Sequence, residues 1–191
     1  MGLQLKKETG SSQKQIWQRV DQLAQGGFTI DAAGFTGTIL AGAPVLFNEE
    51  TRVAKILKLA EIFETAGSVT SYKIAKGHNL AVGDHVSKTV GGAAYTITAI
   101  NTTNAAYDTI TVGTTIGAVT AGEAIFKSSA SGASAGALDV APNGLLYDDV
   151  TVGVEDSVAV VLRGTVYAKR IPAVPASAKT GMPHIIFSNS F

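Results

Sequence analysis

The residues able to do chemistry in this chain are few. There is no cysteine, which removes disulfides, thiolate metal sites and a thiol nucleophile. Three histidines and scattered carboxylates remain. His78, Asp84 and His85 stand together in KGHNLAVGDHV, superficially a metal site. In an extended strand, however, a separation of seven residues puts the two histidines on opposite faces, which is wrong for sharing an ion. Gly83-Asp84 reads more simply as a turn feeding a strand. Asp148 and Asp149 are adjacent, so in a strand they point to opposite sides and cannot work as a paired acid and base. Arg163 interrupts an apolar run between Leu162 and Gly164, and is expected to be an edge-facing salt-bridge partner or an interface contact. The P-loop, the dinucleotide fingerprint, HExxH, GxSxG and the EF-hand loop are missing. With no nucleophile, base and orienting group in reach of one another, the expectation is a non-enzymatic chain with no metal and no cofactor.

The elements that would position these residues are mostly strands. Hydrophobic residues make up 46% and charged residues 16%, so the chain has the material for a core. Glycine is frequent and Thr and Ser abound, which suggests short strands joined by tight turns. Lys plus Arg balance Asp plus Glu at 15 each, with no run of like charge. A nucleic-acid binder needs a basic stripe to neutralise phosphates, so no nucleic-acid partner is expected. No apolar stretch has the length of a membrane span, and the N-terminus has no apolar signal segment. The chain is therefore expected to be soluble, without a membrane partner.

Residues 11–27, SSQKQIWQRVDQLAQGG, predict a helix. Ser12 and Gln15 have capping-box spacing, Ile16, Val20 and Leu23 fall on one stripe widened by Trp17, and Gly26-Gly27 supplies a stop. That apolar face needs a partner, in its own domain or in a neighbouring subunit. Residues 28–47 predict short strands and turns. Residues 53–63 carry a helical stripe, Val53, Ile56, Leu57, Ala60 and Phe63, but also read as strands after a turn at Asn48–Arg52. Residues 67–131 are a succession of short strand-type runs, such as Tyr95–Ile100 and Thr109–Val112, at the spacing of a small barrel or meander. SASGASAGA, residues 129–137, is the best linker candidate. Val158 to Leu162 predicts a strand buried on both faces. The tail ends in Ile185-Ile186-Phe187, an apolar terminus that needs something to lie against.

Three segments resemble the head decoration or head fibre proteins of tailed bacteriophages. They are GTILAGAPVLFNEETRVAKI; KIAKGHNLAVGDHV with YTITAINTTNAAYDTITVGTTIGAVTAGEAIF; and APNGLLYDDVTVGVEDSVAVVLRGTVYAKRIP. Together they span most of residues 35–172, as patterns of turn and strand, not as a catalytic signature. The resemblance implies that residues 53–74 are extended. It also implies a mainly β fold: a split β-sandwich or barrel-like decoration domain with an inserted small β-barrel module and a short N-terminal helix. The expected division is an arm and helix at 1–27, a capsid-facing split domain at 28–66 plus 133–172, an inserted module at 67–132 and a tail at 173–191. GHNLAVGDH is faintly similar to self-splicing Hint domains, but the terminal nucleophile and His-Asn pair that those need are not present.

What the resemblance implies about function is a virion protein, made in a bacterial host cytoplasm, that binds the outer capsid surface. Its partners would be the major capsid protein, two further copies of itself in a homotrimer, and a possible host-surface glycan for the inserted module. The expected contact residues are Ile16, Trp17, Val20 and Leu23 in the arm, with Ile185 and Phe187 in the tail. The alternatives are a carbohydrate- or host-surface-binding β module, using Tyr72, Tyr95 or Tyr107 as aromatic platform, and a tail or baseplate component.

Overall fold

The structure, a computed structural model, describes residues 15–154 and 157–190, with the side chains of residues 25 and 26 left aside. It is mainly β. Before the first crossover come β1 (Trp17–Asp31), β2 (Thr38–Ile39), β3 (Pro44–Asn48) and β4 (Val53–Ile56). Then follow β5 (Leu59–Glu61), β6 (Ser71–Ala75), β7 (His85–Ser87), β8 (Ala94–Asn101), β9 (Tyr107–Val112) and β10 (Ala124–Ser128). The chain returns through β11 (Gly144–Leu146), β12 (Val150–Thr151) and β13 (Ser157–Tyr167). A 3₁₀ turn (Ala168–Arg170), the four-residue α1 (Ala176–Lys179) and β14 (Ile185–Ser188) complete it.

In the first sheet the order is β1-β4-β3-β11-β13, and β13 pairs back onto β1 to close a five-stranded barrel. β14 adds to β13 in parallel, at Gly164↔Ile185 through Tyr167↔Ser188. The barrel interior is filled by Phe28, Ile30, Ile39, Val45, Ala54, Ile56, Leu146, Val158 and Val160. The second sheet runs β5-β10-β7-β8-β9-β6, and an Ile62–Ile74 bridge brings its end strands together. Its core holds Tyr72, Ile74, Val86, Ile97, Ile110, Val112 and Ile125. Strand alternation explains this: in β9 every second residue, Asp108, Ile110 and Val112, is buried.

The stretch of mixed signal resolves as two strands, β4 and β5, joined by Leu57 and Lys58. The turn before them is held by Asn48, whose side-chain oxygen accepts the Glu50 and Thr51 N–H groups. The crossover between sheets therefore falls at residues 57–58, so β5 belongs to the second sheet although it lies before the expected boundary at 66/67.

Two expectations are corrected. The helix over 11–27 is strand from Trp17 onward, while residues 11–14 lie outside the described residues. Trp17 pairs with Val166 and Val20 with Gly164, so four residues of β1 match three of β13. Such a bulge lets apolar residues three apart share one face of a strand, which imitates helical spacing. The only α-helix among the described residues is α1, near the other end of the chain. The second correction concerns residues 129–137, which form an ordered loop. Ser129 N–H donates to Ala137 O, Gly91 N–H to Gly136 O and Gly136 N–H to Gly92 O, and Ala94 bridges Gly132.

Four segments meet between the sheets. Leu57, Phe126 and Ala178 are buried there, with Leu59, Leu138, Val140 and Val174 packed around them. Beside this cluster an ion relay runs from Lys58 to Asp84 (3.5 Å), from Asp84 to Lys127 (3.6 Å) and from Lys127 to Asp139 (3.0 Å). Lys58 and Asp139 flank the outgoing and returning crossovers, so the relay ties both to the second sheet.

Candidate functional site

The histidines do not share a site. The segment between them is turn and loop rather than one extended strand, and it places them in different environments, His85 opening β7. His78 Nε2 lies 3.3 Å from Asp108 Oδ2, and Lys76 Nζ is 2.5 Å from Asp108 Oδ1. His78 Nδ1 accepts the Leu80 N–H at 3.2 Å, so each ring nitrogen has a partner within the protein. Burial pushes the His78 pKa down, and Asp108 offsets this only in part. His85 Nδ1 instead meets Thr96 Oγ1 at 2.9 Å. Among the described residues no three His, Asp or Glu side chains come together to hold a metal. Asp84 is more than a turn residue, since it accepts the Ala81 N–H and bridges Lys58 and Lys127. For Lys127 the largest effect is burial, which lowers the pKa, but Asp139 and Asp84 outweigh it and leave the value raised.

Of the six expected contact residues, four form one cluster. Ile16, Trp17, Ile185 and Phe187 pack with Leu145, Val166, Ile171 and Met182. The pairings explain it, because Trp17 and Phe187 both oppose Val166 from its two sides. The first and last described strands thus both lie against β13 and share one apolar cluster. Val20 opposes Gly164 and Leu23 opposes Val161, and both are half-buried. Arg163 is exposed: Gln22 of β1 opposes it on one flank, on the other it falls between the pairing with β11, which stops at Val161, and that with β14, which starts at Gly164, and no ion pair joins it to a described residue.

Beside the terminal cluster lies a groove of about 600 Å³ lined by Gln15, Trp17, Leu40, Tyr147, Asp149 and Arg170, among others. Three hydrogen bonds between distant segments build its rim. Trp17 Nε1 donates to Tyr147 O (2.9 Å), the Ala41 N–H to Asp149 Oδ1 (2.7 Å), and an Arg170 guanidinium N–H to Gln15 O (2.8 Å). The Trp17 and Tyr147 rings are stacked, with centroids 6.1 Å apart and planes at 22°. Leu40 is half exposed, and Arg170 lies over the Tyr167 ring at 4.7 Å. The loop at Gly42 is fixed by φ of +83° and by the Ile171 side chain, which a β-carbon there would strike. Asp148 and Asp149 are exposed on this rim. Tyr147, Leu40 and Arg170 carry no local motif, and the one signal was a lone aromatic next to the Asp pair in LLYDDV.

The tyrosines considered as platforms fare differently. Tyr72 is fully buried, its hydroxyl bonded to Thr115 and Gly117 O. Tyr95 is half-buried against the second core. Tyr107 leans on the half-exposed Phe63 at 5.3 Å, with Lys73 Nζ 5.0 Å over its ring.

No family model, curated protein or solved structure matches this chain.

Proposed function

We propose that this chain is a non-enzymatic virion protein that binds the outer surface of an assembled tailed-phage capsid as a homotrimer. One observation carries the reading. Among the described residues, β1 from Gln18 to Leu23 is paired on one side only, since its pairing with β4 begins at Thr29. An unpaired strand edge with half-buried Val20 and Leu23 beside it offers backbone donors and acceptors to another chain. The Arg19–Asp21 ion pair and the bulges in β1 keep that edge from pairing indiscriminately. Across β13 from Arg19 lies Ile186, 63% exposed and opposite Thr165, which takes the contact role expected of its inward-turned neighbours Ile185 and Phe187. The three segments similar to decoration proteins supply the nature of the partner. Binding only the assembled shell shifts assembly by mass action, and three linked copies add avidity.

The test is cosedimentation with shells assembled from the major head protein of the phage that carries this gene. Saturable binding is expected, lost in Leu23→Glu with the melting temperature unchanged. A protein that stays in the supernatant overturns the reading. Light scattering on the free protein checks the trimer, and a monomer at micromolar concentration removes it.

A further inference from the structure

We propose that the groove between Trp17, Leu40, Tyr147, Asp149 and Arg170 is a binding site for a neutral saccharide. It goes beyond capsid binding and rests on other residues than the open edge of β1.

The first argument is construction. Four segments far apart in sequence meet here, and each is cross-linked to another: Trp17 to Tyr147 O, Asp149 to the Ala41 N–H, Arg170 to Gln15 O. A rim held this way loses little further freedom when a ligand enters. The volume of about 600 Å³ sits within the roughly 300–1,000 Å³ of small-ligand sites.

The second argument is chemical complementarity. The indole N–H is spent on Tyr147 O, which fixes the plane of the Trp17 ring beside that of Tyr147. Aromatic rings bury the C–H face of a sugar while leaving its hydroxyls to polar groups. The rim carries a carboxylate whose Oδ1 takes a backbone N–H, Asp149, and a guanidinium, Arg170. A cationic ligand would meet Arg170, and an anionic one Asp148 and Asp149. Hydroxyl groups both donate and accept, so a neutral polyhydroxylated ring suits carboxylate and guanidinium together.

Trp17 is the only tryptophan, so its emission reports on this groove alone. The experiment screens the full chain on an array of neutral hexose and N-acetylhexosamine oligosaccharides, with sialylated and sulfated glycans as charged controls. Hits are then titrated by Trp17 fluorescence and calorimetry. At least one neutral oligosaccharide should bind saturably and shift the emission. Tyr147→Leu and Asp149→Asn, which retains an acceptor for the Ala41 N–H, should each weaken binding about tenfold with the melting temperature unchanged. Leu23→Glu should leave the titration as it is, which separates this site from capsid docking. If either groove variant melts early, Arg170→Lys carries the same expectation. The proposal is overturned if no neutral glycan binds, if only charged glycans bind, if Trp17 emission does not move, or if folded groove variants bind like the parent.

Discussion

At the residue scale, Asp84 has the largest structural consequence of the few chemically capable groups. Lys58 is almost wholly buried, and its ammonium has Asp84 at 3.5 Å and the Phe35 ring at 5.3 Å. Among the described residues, Asp84→Ala leaves that charge without a carboxylate partner and strips Lys127 of one of its two carboxylates. Removing one partner of a buried pair costs more than the pair contributes, so a loss of about 2–3 kcal/mol is expected in urea unfolding. His78 adds a pH dependence. Its folded pKa lies below the ordinary 6.5 because burial disfavours the imidazolium. As the pH falls the unfolded chain takes up this proton first, so the contribution is full above 6.5 and is lost progressively below it. His78→Gln should flatten that part of a stability-against-pH curve. The sequence made the separation of the two histidines legible, but not the reason for it. Alternation along a strand was the wrong geometry for a turn, and the Asp108 that engages His78 lies thirty residues on.

At the element scale, strand alternation made β8 and β9 legible and a continuous apolar run made β13 so, whereas the spacing over 53–63 left helix and strand both open and only the resemblance favoured the strands β4 and β5. β1 was not legible, because bulges replaced period two with period three and the partner that stabilises it, β13, is about 140 residues away. The consequence is testable. Deleting residues 1–27 removes most of the longest strand of a closed barrel, including nearly all of its pairing with β13, so the remaining chain should lose the cooperative unfolding of that barrel and become protease-sensitive. A dispensable helical arm would instead leave both unchanged. The small residues of 129–137 have the composition of a linker, yet small size here serves close approach. A β-carbon on Gly136 would collide with Thr89 O and come within 2.7 Å of Ser87 Oγ and 2.9 Å of Gly92 O. Gly136→Ala should cost about 1–3 kcal/mol by thermal melting, where a mobile linker would tolerate it.

At the scale of the whole molecule, the two sheets share a seam built from Leu57, Phe126 and Ala178 and fastened by the Lys58–Asp84–Lys127–Asp139 relay. Such coupling should give one calorimetric transition. Phe126→Ala removes the largest side chain of the seam, costs roughly 3–5 kcal/mol, and should split that transition into two. The groove, too, is a property of the whole, since its rim comes from the start of β1, two loops and the 3₁₀ turn after β13, which no local pattern could reveal. The pairing of both terminal strands with β13 has a further consequence. Trp17 and Phe187 sit on opposite flanks of Val166, so the first and last described strands meet β13 about two strand spacings apart, roughly 10 Å. A short peptide could therefore join Gln15 to Ser190, with new ends opened in the exposed turn at Asn101–Asn104. The molecule lends itself to being cut into a circular permutant that carries its cargo on the opposite module, while the seam and both cores keep every strand they now have.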